Sequence, residues 1–580
     1  MMNHRIVLKD AYKQYTHDQD KIFTPEETVK RFKVQLKKAN LDILEKTVRI
    51  DNGRLDIPVF FSICGNDALK IIGTKKQMGK GGTPQQAEAS AVMELAERFS
   101  FFSFVKDESN FFTERYENIN EKVLPFEAIA KSVHDPCEDP EALKKIFSML
   151  PLKWTWACNM TRDEECLVPF DWFYTINEFN GPSAGNCAEE ALLQGICEVV
   201  ERHVSSLVSR NKITTPLIDI NTATDELSKE MTGKYNREGI RLYLSDFSLD
   251  TGIPTVGALA CDPSTFPESS EIVWTAGTTP GPQKALSRAL TEVAQLAGDF
   301  NSNSNYVASG LPKFSTLDEA GYVINSTETR SIDDLPDLSD NNIRVEVENC
   351  ISALSKNDME VIAINTMHRD LGIPAFYTII PGAHFRERSA GTSIGMFSAK
   401  IVAESGNPGW AMAQLKKMDT ILPGKYYIKF FMGICCLSLY DPEEGLRYLE
   451  EALELEPREE DMVSIYSYMA QCLKDMERYN DALAVLEKAE KIDRERTDIY
   501  NLMGFCFFRL KKHEDAIECF KKVLKLNPTS GIDYANIASN YRDMGNKEQA
   551  VSYYRMALEF DPSLDFAREN LEKLEPQPQA

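Results

Sequence analysis

SAGNCAEEALLQGICEVVERHV, residues 183–204, decides how the first two-thirds of the chain is read. A glycine-containing turn leads into a helical pattern in which Ala191 is followed seven positions later by Glu198, and then by Glu201 and Arg202. Two other stretches repeat this layout. GKGGTPQQAEASAVMELAERFS (79–100) places Ala87 before Glu94, Glu97 and Arg98, and TTPGPQKALSRALTEVAQL (278–296) places Ala285 before Glu292. The three predict helices beginning near Pro84, Ala188 and Pro282. On a helix, positions i, i+3 and i+4 share a face, so Glu190, Gln194, Glu198 and Glu201 form one polar ridge three turns long. The apolar residues Val92, Leu95, Leu192, Ile196 and Val199 fall elsewhere on these helices, as a core-facing side requires.

Carboxylates gathered on one face repel unless cations stand among them. Glutamate oxygens suit hard cations such as magnesium, which commonly bridge to substrate phosphates. Arg98, Arg202 and Arg288 can pair with the carboxylates or with phosphate oxygens, which match the guanidinium fork. For a single helix, ordinary surface Glu–Arg pairing is the better explanation; three copies about a hundred residues apart favour a site. GKGGT (79–83) lacks the G-x-x-x-x-G-K-[ST] spacing of a phosphate loop; it is read as a strand-to-helix turn whose amides either meet phosphate or simply start the helix. His203, His368 and His384 stand alone in the sequence, and no nucleophile–base constellation is evident, so no catalytic nucleophile or base is assigned. Strand candidates are Asp56–Cys64, Val256–Cys261, Val361–Asn365 and Ala375–Ile380, rich in β-branched and apolar residues. The polar stretch 301–342 reads as a long loop or insertion.

The C-terminal third has a different period. Ala482, Ala516 and Ala550 are 34 residues apart, as are Ala470, Gly504 and Ala538, and Ala489, Val523 and Ala557; Pro528 and Pro562 close two units on the same step. Gly433, Gly445 and Ala452 extend the series upstream with a step of 37, the loop PREEDMV adding three residues. This pattern resembles tetratricopeptide repeats, four of them from about Tyr426 to Pro562, followed by a capping helix in DFARENLEKLEP. Such an array is expected to offer a groove to a peptide or protein partner; the alternative is that it only stabilises or dimerises the domain before it.

Bulk properties exclude several classes. At 580 residues, with 43% hydrophobic and 27% charged side chains, the chain is expected to be a multidomain globular protein. A formal net charge of −24 leaves no cationic excess to displace counterions from a phosphate backbone, so nucleic-acid binding is not expected. The N-terminal MMNHRIVLKDAYKQY has no apolar signal-peptide core, and no stretch reads as a membrane span. Thirteen cysteines without a C-x-x-C pair point to reduced thiols in a cytoplasmic protein rather than a zinc site.

The combination of S-A-x-x-E-x-x-E-R at Ser90–Arg98, A-G-N-x-x-E-E-A at Ala184–Ala191, E-x-x-E-R at Glu198–Arg202, A-L-x-R-A-L-T-E at Ala285–Glu292 and DLGIPAFYTIIPG at 370–382 resembles the YcaO family. The resemblance covers roughly residues 60 to 400. It implies an α+β YcaO-type nucleotide-binding domain (1–405), then a linker (406–424) and an all-α tetratricopeptide-repeat solenoid (425–580). It also implies an ATP–Mg2+ site, with Glu94, Glu97, Glu190, Glu198, Glu201 and Glu292 as metal-binding carboxylates. Lys9 (in the weakly matching Leu8–Ala11), Ser90, Asn186, Gln194, Arg202 and Arg288 would contact nucleotide. The family reaction adds a nucleophile to a peptide amide, whose oxygen is then phosphorylated by ATP and lost as phosphate. Azoline-forming members end in a Pro-rich tail; EPQPQA, with Pro576 and Pro578, is only faintly similar. The domain order is similar instead to proteins implicated as accessory factors in methylthiolation of ribosomal protein S12, while thioamide formation with a TfuA-type partner is the other route. The expected partners are therefore a peptide or protein substrate and a TfuA-type or methylthiotransferase protein.

Overall fold

A computed structural model describes residues 5–74, 76–134, 139–177, 179–301, 311–385, 393–527 and 529–575. Contacts divide the chain into two compact units, Met1–Glu138 with Ser148–Ser393, and Asp139–Phe147 with Ile394–Ala580.

The first unit contains three sheets among its described residues. The first sheet has the order β1 (Leu44–Arg49), β2 (Val59–Cys64), β3 (Lys76–Lys80), all antiparallel. A second is built on β5 (Pro151–Asn159), with β4 (Phe112–Arg115) and β6 (Glu164–Pro169) paired to it; it continues through β13 (Ile362–Asn365) and β14 (Ala375–Ile379) to β7 (Pro182–Ala184). The third runs β11 (Val273–Thr278), β10 (Thr255–Cys261), β9 (Arg241–Asp246), β8 (Leu217–Asp219), β12 (Thr329–Ser331). Four expected strands are therefore present at Val59–Cys64, Thr255–Cys261, Ile362–Asn365 and Ala375–Ile379. The polar 301–342 stretch is not all loop. Residues 329–331 pair in parallel with β8, because an edge position needs only three residues and tolerates polar side chains.

Three helices begin where the turns predict them: α1 (Pro84–Lys106), α2 (Ala188–Arg210) and α3 (Pro282–Ala297). Proline occupies the first turn of α1 and α3, where its missing N–H has no intrahelical role. The Thr83 hydroxyl caps α1 by accepting from the Gln86 amide. Ala285, Leu286, Ala289, Leu290 and Val293 of α3 pack with Val256, Ala258 and Ala260 of β10, while Val92, Leu95 and Phe99 of α1 pack with Phe32, Ile43, Leu371 and Ile373. A fourth helix, α4 (Ile343–Ser355), is capped by the Asn342 side chain.

In the second unit, four helix pairs follow one another: α5 (Tyr426–Ser438) with α6 (Pro442–Glu454), α7 (Glu459–Asp475) with α8 (Tyr479–Ile492), α9 (Thr497–Arg509) with α10 (His513–Leu526), and α11 (Gly531–Asp543) with α12 (Lys547–Phe560). α13 (Asp565–Leu574) closes the array. The periodic small residues lie where helices touch. A Cβ on Gly504 would stand 2.7 Å from the Phe520 ring, and one on Gly433 would stand 2.7 Å from Leu449. Helix Pro408–Ile421 occupies most of the segment between 406 and 424. Pro528, Pro576 and Pro578 lie outside the described residues.

Candidate functional site

Each of α1, α2 and α3 follows a strand at the edge of a different sheet: β3, β7 and β11. Gly79, Ser183 and Gly277 on those strands each stand eight residues before the repeated alanine and fifteen before Glu94, Glu198 and Glu292. A Cβ on Gly277 would lie 2.5 Å from the Ala289 amide nitrogen and 2.7 Å from the Ala285 carbonyl oxygen; Gly79 is pressed in the same way against Ala87 and Ala91. In the middle copy the small residue is on the helix, where a Cβ on Gly195 would meet the Ser183 hydroxyl at 2.8 Å. Strand and helix backbones thus touch in the first and third copies, while in the middle copy the α2 backbone at Gly195 is pressed against the Ser183 and Thr378 side chains. This close approach restricts the rotation of each helix on its strand.

The three helices converge on one cleft, lined among others by Ser90, Glu94, Glu97, Asn186, Gln194 and Arg288. Glu190 and Glu201 are only 2% and 3% exposed, which rules out ordinary surface pairing for α2. Arg288 of α3 donates to Gln194 Oε1 (3.1 Å) and Glu201 Oε2 (3.4 Å) of α2. Arg202 approaches Glu201 at 3.4 Å and Glu198 at 3.8 Å, and its Nε donates to Asn180 (3.1 Å). On α1, Arg98 lies 3.5 Å from Glu97 and 3.8 Å from Glu94. Lys80, at the end of β3, forms an ion pair with Glu292 of α3. Glu190 accepts the Ile22 amide (2.7 Å) and both the amide and side-chain nitrogen of Asn186 (3.0 Å each).

The Lys9 side chain is exposed, and the contribution of this residue is its amide, which donates to Glu189 Oε1 at 2.6 Å. The Gly82 amide in the GKGGT turn donates to Asp18 at 2.6 Å, so that donor already has an anionic partner from the N-terminal segment. His203 is buried and accepts the His384 amide at Nδ1 (3.0 Å), while the His384 and His134 rings stack with centroids 3.5 Å apart. His368 packs on Phe99, and its Nδ1 accepts the Leu371 amide at 3.3 Å. These contacts give all three structural surroundings. The twelve described cysteines are free.

Among the described residues, no three Asp, Glu, His or Cys side chains converge closely enough to hold a metal ion as they stand, since the carboxylates are spread along the cleft and turned to arginines, lysine and amides. The donor chemistry nevertheless suits a magnesium–polyphosphate ligand. Burial, reinforced by Glu198, pushes the Glu94 and Glu97 carboxyls above the usual range despite Arg98. A divalent cation beside them would offset that burial cost and favour the charged carboxylates. Arg288 and Lys80, on the same cleft, supply the donors that phosphate oxygens need.

Sequence reasoning passed over Lys80, Lys21 and Gln86, which also line the cleft. Lys80 sits inside GKGGT and carried a signal in its lysine. Lys21 had none, because its segment reaches the site only through tertiary contacts.

The family model described as YcaO cyclodehydratase, ATP- and Mg2+-binding, matches residues 78–384. Tetratricopeptide-repeat models match residues 463–496, 497–530 and 534–564; the helix pair before them is the upstream unit with the longer step. An uncharacterized protein of Methanothermobacter thermautotrophicus is 28% identical over 393 residues, 62% of this chain and 93% of the relative. The uncharacterized protein in the tfuA 3′ region of Rhizobium leguminosarum bv. trifolii is 24% identical over 296 residues, 48% of this chain and 66% of the relative. Among solved structures, a heterocyclase in complex with substrate and cofactor shares the fold with a TM-score of 0.54 at 19% identity, over 66% of this chain and 55% of that one. YcaO from Methanopyrus kandleri, bound with AMPPCP and Mg2+, gives a TM-score of 0.47 at 23% identity, over 65% of this chain and 95% of that one.

Proposed function

The chain belongs to the YcaO family of ATP- and Mg2+-binding proteins and carries tetratricopeptide repeats after that domain; from that premise we propose that it activates a peptide or protein backbone amide by ATP-dependent O-phosphorylation. The observation that carries this reading is the convergence of Glu94, Glu97, Glu190 and Arg288 from three similar helices on one cleft. In the proposed reaction a nucleophile adds to the amide carbonyl, the resulting oxyanion attacks the γ-phosphorus of ATP with ADP as the leaving group, and the carbon–oxygen bond then breaks to release phosphate, while a double bond forms from that carbon to the nucleophile or the amide nitrogen with loss of a proton and the carbon–nucleophile bond is kept. Positioning and charge neutralisation suffice for such a transfer, and no protein nucleophile is required. Bound magnesium would supply charge neutralisation at the phosphates. Glu94, Glu97, Glu190, Glu198, Glu201 and Glu292 are proposed to hold it; Ser90, Asn186, Gln194, Arg202 and Arg288, with Lys9, are proposed to contact nucleotide.

Residues 1–405 are proposed as the ATP-binding part and 425–580 as the part that recruits substrate or partner. Thioamidation with a TfuA-type partner is supported by the relative in the tfuA 3′ region. The repeat array favours a second reading, a non-catalytic ATP-binding adaptor of the kind implicated in ribosomal-protein methylthiolation. An ATPase assay decides between them: Mg2+-dependent turnover that Glu198→Ala abolishes supports the enzyme, whereas tight ATP binding without turnover in the presence of partner and substrate supports the adaptor. Full activity in Glu198→Ala would sink the site assignment.

A further inference from the structure

One turn beyond Arg98, α1 presents Phe102, whose ring centroid lies 5.7 Å from that of Phe179. Phe179 is 44% exposed, although Phe102 supports it from one side and Tyr174 of helix Phe170–Asn177 from another, with centroids 6.5 Å apart. The same ring is 6.0 Å from the Arg98 guanidinium, the group that faces Glu94 and Glu97. The two residues after Phe179 belong to the hydrogen bonding of the carboxylate row. Asn180 Oδ1 accepts from Arg202 Nε at 3.1 Å, and the Gly181 amide donates to Glu198 Oε2 at 3.3 Å. Gly181 locks this turn: its φ is +100°, and a Cβ there would stand 2.2 Å from the Thr378 carbonyl oxygen. An exposed aromatic ring is thus held beside the carboxylates by a backbone with little freedom.

The acceptor side of the site lies in this direction. On the ATP–Mg2+ reading, Ser90 and Gln194 meet nucleotide one turn before Glu94 and Glu198, and Glu97 and Glu201 lie a turn further on. Phe102 and Phe179 continue the same line past the last carboxylates. An in-line transfer puts the attacking oxygen on the side of the γ-phosphorus away from ADP, which is the side of the exposed ring. A ring packed on one side and open on the other stacks best on a second ring or a broad aliphatic side chain, an interaction worth about 3–10-fold in binding.

We propose that Phe179 is the platform on which the peptide substrate rests, stacking on an aromatic or large aliphatic side chain next to the amide to be activated. The proposal rests on the amide-activation reading of the adjoining cleft and deepens it by naming the class of peptide.

A random peptide library, panned on the full chain loaded with Mg2+ and the non-hydrolysable analogue AMPPCP, tests this. Peptides bound by the wild type should be enriched at least about threefold over the input for Phe, Tyr, Trp or Leu at one position. With Phe179→Ala that enrichment should disappear, and with Phe179→Tyr, which keeps the ring, it should be retained. Peptides held by the repeat array are recovered by all three proteins alike and cancel in the comparison. Equal enrichment in Phe179→Ala overturns the proposal, as does a wild type that binds Mg2+-AMPPCP but selects no peptide or none with such a position. Loss in Phe179→Tyr as well as in Phe179→Ala overturns the stacking role. A wild type that calorimetry shows not to bind Mg2+-AMPPCP refutes the ATP-site reading itself, and the proposal falls with it.

Discussion

Three histidines that look unremarkable in the sequence, His134, His203 and His384, form a cluster in which only His203 is fully buried, with a measurable consequence. Burial holds His203 down to about 4, and burial with the neighbouring His134 holds His384 down to about 3. Both are therefore neutral in the folded protein at pH 6, whereas in the unfolded chain they take up protons below the ordinary value of 6.5. The stabilisation is complete above pH 6.5 and is lost as pH falls from 6.5 toward 3. Urea unfolding should show the midpoint falling between pH 7 and pH 5, and His384→Phe, which keeps a ring against His134, should make the fall shallower by up to about 1 kcal/mol per pH unit. An unaltered slope would contradict the buried neutral state. At the same scale, the site was largely legible. Seven of the predicted residues line one cleft: Ser90, Glu94, Glu97, Asn186, Glu190, Gln194 and Arg288. Glu198, Glu201, Arg202 and Glu292 connect to it through ion pairs with Arg202, Arg288 and Lys80. Lys9 contributes an amide rather than an ammonium, a distinction that no residue type encodes.

At the scale of elements, the spacing between alanine and glutamate has a structural cause. In α1 and α3 the alanine marks where helix and strand backbones touch, and the glutamate is the residue two turns on that this contact orients. Gly277→Ala should cost about 1–3 kcal/mol of stability, because the added methyl meets backbone at both Ala285 and Ala289. It should also weaken Mg2+-ATP binding by displacing Arg288 and Glu292; thermal melts with and without ligand check both effects. The asymmetry among the copies is also legible in the sequence, since α3 lacks the second glutamate and arginine of α1 and α2 but supplies Arg288. The turns of the repeat array carry a second element-level signal. Tyr440, Glu477, Lys511 and Gly545, one in each helix pair, all have positive φ, of 60°, 58°, 60° and 82°. Only the last is glycine, the residue that tolerates this conformation without a Cβ penalty. Lys511→Gly should raise the stability of the array by about 0.5–1 kcal/mol, and Gly545→Ala should lower it by about 1 kcal/mol; chemical denaturation followed by helicity reads both. The sequence shows the helices through their 34-residue period, but not the backbone sign at 440, 477 and 511, where side-chain identity leaves no mark.

For the whole molecule, the division between the α+β part and the repeats was visible as a change of period, whereas Asp139–Phe147 joining the second unit was not. That segment is set by long-range contacts, which composition cannot reveal. A ligand that binds one folded unit stabilises that unit by RT ln(1 + L/Kd), where L is the free ligand concentration. Mg2+-ATP should therefore raise the unfolding temperature reported by probes in the first unit, such as Trp172 and Trp274, more than the helicity loss of the repeat array; equal shifts would contradict a site confined to the first unit. The most direct test of the central claim is the calorimetric affinity for ATP with Mg2+, with EDTA and in Glu198→Gln. Binding that requires Mg2+ and weakens at least about tenfold in the variant is the predicted result, since it removes one charge from the carboxylate set without changing its shape. Equal affinity in EDTA, or an unchanged affinity in folded Glu198→Gln, would contradict a magnesium-dependent nucleotide site built from these three helices.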